Sequence, residues 1–215
     1  MKFLTGQRPS PLLIITAVFA FLWAVARAAV QAVTIDEADT YLAFVHPPAA
    51  LQWYPAANNH VLNTLLMRLF TFVFGLSHLT LRAPALIGAF IYISAALWLA
   101  SIIAQDLKVQ WPLLACLIFN PFVFDYLVAA RGYGLALAFL MCAVAVPIYF
   151  IRSDRPALAC ALGSACAGLS VAANFSFAFV NAAAILIIFL GAARKRNIKL
   201  IPASILPALL VTVAH

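Results

Sequence analysis

Asp36, Glu37 and Asp39 stand within one helical turn of one another, and His46 and His60 follow shortly after. Acidic residues number only six in this chain and histidines four, so the stretch from Thr34 to His60 collects half of each. Carboxylates beside imidazoles suit proton transfer. The arginines that follow, Arg82 and Arg131, carry permanent charge with paired N–H donors, the geometry that recognises phosphate. A carboxylate beside such cations would act as general base in a reaction whose leaving group is a phosphate. A structural reading stands next to this one. Thr34 and Glu37 have the spacing of a capping box, and acids suit a helix N-terminus. Arg82 and Arg131 could equally be interfacial arginines, with Tyr133 in an aromatic belt. Capping explains Glu37 and Asp39, but not the gathering of His60, Arg82 and Arg131 around the same loop.

The elements that must position these groups are membrane helices. The chain is 67% hydrophobic and 9% charged, with uncharged apolar runs near the ~20 residues that a hydrocarbon core about 30 Å thick requires. This excludes an ordinary soluble domain, and nothing alternates as a lipid-facing strand would. The expected fold is all-α, a polytopic helix bundle forming one membrane domain over residues 1–215. Spans are expected at Pro11–Val33, Ala83–Ala104, Val109–Phe124, Gly132–Ile151, Pro156–Ala173 and Phe175–Ala193. A seventh begins at Leu200 and reaches the last residue without a closing loop, so the chain reads as truncated. The first run, after Lys2 and Arg8, is read as an uncleaved span rather than a signal peptide.

Val61–Leu76 is short, with Arg68 in its middle, and His60, Thr64, Arg68 and Thr71 recur at helical spacing. It is expected to lie in the interface rather than to cross. Nine of thirteen basic residues then share the side of Lys2 and Arg8, including the Arg152–Arg155 loop and the Arg194–Lys199 run. The opposite choice would place those loops outside, against the positive-inside rule. Residues 34–81 thereby become an external loop, and Asn120-Pro121 is expected to break the third span, leaving Asp125, Arg131 and Tyr133 on the same outer face. The net charge of +7 reads as cytoplasmic loop charge, not as a nucleic-acid surface. Cys116, Cys142, Cys160 and Cys166 all fall in apolar runs and read as small buried hydrophobes.

The order Asp36-Glu37-Ala38-x-Thr40-Tyr41, Asn58-Asn59-His60, Leu81-Arg82-Ala83-Pro84 and Ala130-Arg131-Gly132-Tyr133 resembles bacterial membrane glycosyltransferases of the GT-C fold. These are the family 39, dolichyl-phosphate-mannose mannosyltransferase-like enzymes related to aminoarabinose transferases. The resemblance runs from the first span to about Ile151. It implies a GT-C-like bundle in the bacterial plasma (inner) membrane with its active face external. The implied reaction is an inverting transfer of a sugar from a polyprenyl-phosphate donor to a lipid, glycan or protein acceptor. It matches Asp36 to the catalytic base, with Glu37 as the second catalytic acid of the pair. His60, Arg82, Arg131 and Tyr133 match substrate-binding positions, the arginines beside the donor phosphate.

The family's His-Pro-Pro does not stand at His60-Val61-Leu62; that tripeptide occurs earlier, at His46-Pro47-Pro48, which keeps His46 as a fallback. Relatives are also longer. No zinc set is evident, but Asp36, Glu37 and Asp125 offer oxygen atoms to a divalent cation, so metal dependence is left open. Two other classes remain. A transporter would line a path with these charges, although paired repeats with broken helices are absent. A non-catalytic membrane scaffold would lose nothing on Asp36→Asn.

Overall fold

The computed structural model describes residues 9–46, 59–152, 155–194 and 200–213. Lys2, Arg8, the Pro47-Pro48 pair, Asn58, Asp154 and the basic run Lys195-Arg196-Asn197-Ile198-Lys199 lie outside them. Among the described residues every regular element is helical. We number them α1 (Pro11–Val30), α2 (Ile35–Thr40), α3 (Val61–Phe74), α4 (His78–Ile103), α5 (Leu107–Ile118), α6 (Pro121–Tyr126), α7 (Tyr133–Arg152), α8 (Pro156–Ala173), α9 (Ala178–Arg194) and α10 (Leu200–Val213). Helix α2 runs on into a π-helical turn, Tyr41–Val45, and a short 3-10 turn, Phe175–Phe177, leads into α9.

Five helical segments are long and apolar enough to cross a bilayer: α1, α4, α7, α8, and α9 with its leading turn. Large apolar side chains such as Phe19, Leu22, Phe90, Phe179 and Ile187 are exposed around the bundle, as lipid-facing surfaces are. Inside, the helices meet through small residues. Helix α1 buries Leu13, Ala17, Ala20, Ala24 and Ala28, a stripe that lets it lie close against Ala89, Ala96 and Ala100 of α4. Helices α4 and α7 approach more closely still: a Cβ on Gly88 would come within 2.6 Å of the Gly134 carbonyl oxygen and the Leu135 nitrogen. Helix α8 does the same with Gly163 against Pro147 of α7 and Gly168 against Ala208 of α10.

Several expected boundaries move. Helix α4 begins at His78 rather than Ala83, because Ser77 and Thr80 form a capping box that the apolar pattern conceals. Arg82 therefore lies in the second turn of a helix, not at its water-facing tip. The expected span Val109–Phe124 is two helices, α5 of 12 residues and α6 of 6. The break falls where expected, at Asn120, whose side chain accepts N–H bonds from Phe122 and Val123 while Pro121 opens α6. Trp111 donates to Thr16 near one end of α1, Tyr92 donates to the Leu117 carbonyl midway, and Asp125 reaches Arg27 near the other end. The α5–α6 path thus climbs the length of α1 in two steps.

Helix α3 ends at Phe74, with Gly75 at positive φ just beyond. It is amphipathic, as the polar stripe implies. Asn63, Thr64 and Met67 face the bundle, while Leu69, Phe72, Val73 and Phe74 are exposed. The cysteines are free thiols, and Cys116 is exposed rather than buried.

Because neighbouring backbone blocks a side chain at Gly88, Gly88→Ala should push α4 from α7 and destabilise the fold by about 1–3 kcal/mol. Gly191→Ala in α9, where nothing lies within 4 Å, should be neutral or stabilising by about 0.5–1 kcal/mol. Thermal unfolding of both variants in detergent checks the pair; equal effects would refute the close approach.

Candidate functional site

Arg82 is 1% exposed, and each of its five N–H groups has an acceptor. Nε donates to Glu37 Oε1 at 2.9 Å and Nη2 to Glu37 Oε2 at 2.8 Å, a side-on bidentate pair. Nη1 donates to the carbonyls of Ala28 at 3.0 Å and Gln31 at 2.7 Å, and Nη2 also to Ala32 at 2.9 Å. Those carbonyls belong to the last turn of α1 and its exit, where a helix leaves acceptors unpaired and presents its negative end. One guanidinium thereby closes α1, crosses from α4, and holds α2.

Glu37 is fully buried. Its Oε2 also accepts the Thr34 N–H at 2.9 Å, while the Glu37 N–H donates to Thr34 Oγ1, so the expected capping box is present. Its Oε1 further accepts the Ala130 N–H at 2.8 Å. Burial alone would raise this carboxyl. The Arg82 guanidinium and the Thr34 and Ala130 N–H bonds outweigh that and bring it down to about 2, from an ordinary 4.5. Both Glu37 oxygens are thus occupied by N–H donors, and all five Arg82 N–H groups by acceptors, which leaves Arg82 no donor for the expected phosphate contact.

Asp36, the preceding residue, points the other way. Its side chain is 51% exposed, and Oδ2 lies 2.8 Å from Arg131 Nη1. The Arg131 side chain is 28% exposed, with its guanidinium carbon 5.6 Å from the centre of the Tyr133 ring. Tyr133 stacks on Tyr126 at 4.5 Å between centroids and is flanked by His60 and Phe177.

The turn that carries Arg131 is fixed residue by residue. Glu37 takes the Ala130 N–H; Asn63 Nδ2 donates to the Ala130 carbonyl at 3.3 Å; Asn174 Nδ2 donates to the Arg131 carbonyl at 3.4 Å. Gly132 has φ of +74°, and a Cβ there would strike the Ala173 carbonyl and come within 3.1 Å of the His60 Cβ. Both asparagines are fully buried. Sequence reasoning missed them. Their signal was a polar amide isolated in an apolar run, Asn63 one turn from His60 and Met67, and Asn174 between two spans, where its carbonyl also caps the Ser176 N–H.

His60 is 8% exposed and sits beside Asn174, with Nε2 3.4 Å from Asn174 Nδ2. Burial, and then the nearby Arg131 charge, lower its pKa to about 4 from 6.5. A neutral, enclosed imidazole supplies no cation for an anion, and His60 packs beside Tyr133. His46 and Asp39 are exposed.

Asp125, at the end of α6, lies 2.7 Å from Arg27 at its own site. Asp36, Glu37 and Asp125 are thus each paired with a different arginine. Among the described residues no group of three His, Cys, Asp or Glu side chains could hold a metal ion. Comparison with protein-family models, curated proteins and solved structures finds no match to this chain.

Removing either partner of the Glu37–Arg82 pair strands a buried charge. Glu37→Gln or Arg82→Met should therefore cost about 3–5 kcal/mol, whereas Asp36→Asn, in an exposed pair, should stay within about 1 kcal/mol. Detergent unfolding of the three variants measures the contrast. The pH response has a definite sign. His60 binds a proton near 6.5 when unfolded and near 4 when folded, so its contribution is complete above 6.5 and lost as pH falls towards 4. Glu37 acts likewise from 4.5 down to 2. Melting temperature should decline on acidification from pH 6.5 to 4, and His60→Gln should flatten that decline.

Proposed function

We propose that the chain is the catalytic part of a membrane glycosyltransferase with a GT-C-like bundle, using a polyprenyl-phosphate-linked sugar as donor at the external face of a bacterial plasma membrane. The observation that carries this reading is the Asp36–Arg131 pair: an exposed carboxylate and a half-buried guanidinium 2.8 Å apart, at the end of the bundle, over Tyr133. Both groups hang from a buried frame, as a base and a phosphate-binding cation must if their spacing is to be reproducible.

In the proposed reaction the donor phosphate takes Arg131 donors from Asp36, and the sugar lies between the two side chains. The Asp36 carboxylate removes the proton from an acceptor hydroxyl or amine as that atom attacks the anomeric carbon. The anomeric C–O bond to phosphate breaks with inversion, and its electron pair leaves on the polyprenyl phosphate, whose charge Arg131 neutralises. Tyr133, stacked on Tyr126 with Arg131 over its ring, shapes the floor of the pocket. Glu37 and Arg82 act as framework, and His60, Asn63 and Asn174 position the Arg131 turn. The acceptor would be a lipid, glycan or protein reaching the external face.

In this reading α1, α4, α5–α6, α7, α8 and α9 make six crossings. That places Lys108, Arg155 and Arg194 in the cytoplasm and the acids of α2 outside, which agrees with the positive-inside rule. A transporter is less well supported, because the described ion pairs gather at one end of the bundle rather than along a path through it.

Asp36→Asn should abolish sugar transfer, by at least about 100-fold for loss of a general base, while melting temperature stays near that of the parent. Arg131→Ala should depress transfer and weaken polyprenyl-phosphate binding together. Transfer of label from a polyprenyl-phosphate sugar in membranes measures both, and near-parental activity of Asp36→Asn removes it from the base role.

A further inference from the structure

A second chemically defined feature runs along the bundle and has its polar mouth at the end away from Asp36. A cavity of about 660 Å³ runs between α7 and α9 with α4 and α5 behind it. Its lining runs from Leu137 and Val180, near the starts of α7 and α9, past Tyr92 at the middle of α4 to Pro156, Gly191 and Ala192 at its far end. Val144, Val180 and Ile187 line it and are also exposed, so the cavity opens sideways onto the surface that faces lipid. From Val180 to Ala192 the groove follows α9 for about 18 Å at 1.5 Å per residue. That is more than half the thickness of a hydrocarbon core about 30 Å thick.

The far mouth is basic. Arg155 immediately precedes Pro156, Arg194 follows Ala192 by two residues, and both are exposed. Neither has an acidic partner among the described residues. Helix α8 starts at Pro156 with no side-chain cap, so the positive end of its dipole is directed to the same mouth. An apolar groove of that length, open sideways to lipid and with cations at its far mouth, complements a molecule with an acyl tail and an anionic head.

We infer that this groove binds an anionic phospholipid of the leaflet opposite the Asp36 site, one acyl chain lying along α7 and α9 and its phosphate between Arg155 and Arg194. The proposal goes beyond the transferase reading and does not depend on it. A donor lipid would have its phosphate at Arg131, at the other end of the bundle. The bound lipid fills the gap between α7 and α9 and so braces the second half of the bundle against the first.

The test uses the full chain reconstituted with equal amounts of phosphatidylglycerol and phosphatidylcholine of identical acyl chains, extracted in mild detergent and assayed for retained lipid. Each surface arginine is expected to favour the anionic head about fivefold, so phosphatidylglycerol should be strongly enriched. Arg155→Gln with Arg194→Gln should bring the ratio to within about twofold of the bulk mixture, an expectation on the same per-arginine scale. Ala184→Phe, which fills the groove, should reduce retention of both lipids; Ile187→Trp serves the same purpose if that variant does not fold. Retention at the bulk ratio by the parent protein overturns the proposal. So does an unchanged ratio in the double variant, undiminished retention in a folded groove-filled variant, or release of the lipid by polyprenyl phosphate alone.

Discussion

A guanidinium with no water around it has to find five acceptors, and the amino-terminal half of this protein is assembled so that Arg82 does. The acceptors come from the end of α1 and from Glu37 on α2, while the arginine itself comes from α4. Neither charge is tolerable without the other in this enclosure. The chain leaving α1 must therefore turn back at Gln31 and Ala32, and α2 must start within reach. Glu37 then passes the constraint on, because the same carboxylate holds the Ala130 N–H and with it the turn before α7.

Two adjacent acids consequently have opposite duties. Glu37 faces inward and is consumed by structure; Asp36, one residue earlier, is turned outward to the Arg131 side chain. Exposure separates them more sharply than chemistry does, since the side chains differ by one methylene. The arrangement also explains why the outward pair can be precise while partly solvated. Its two backbones are each fastened to the same buried carboxylate, so the relative placement of Asp36 and Arg131 does not rest on the pair's own weak attraction.

Much of this was legible in the residues. The Thr34–Glu37 spacing announces a helix start, Asn120-Pro121 announces a break, and the long apolar runs announce the helical bundle. Which of Asp36 and Glu37 turns inward was not legible: neighbouring helical residues point about 100° apart, and the choice is made by carbonyls of α1 that no local pattern reveals. Arg82 was misread because its apolar neighbours suggested a span beginning after it, when Ser77 and Thr80 had already started the helix. The orientation of α3 was hidden for a similar reason. In a bilayer the exposed face is the apolar one, so a polar stripe marks the side that packs on protein, and Asn63 and Thr64 follow that rule.

The exposed edge of α3 has a mechanical corollary. Leu69, Phe72, Val73 and Phe74 leave the bundle on the same short helix whose first turn contributes His60 and Asn63 to the Arg131 turn. An apolar edge of that kind floats at the depth where hydrocarbon begins, and it resists being lifted into water or drawn further in. In the proposed membrane orientation the helix would act as a depth gauge. It would tie the height of the Asp36–Arg131 pair to the boundary between acyl chains and headgroups, so that a membrane of different thickness would leave the pair level with the headgroups of that leaflet.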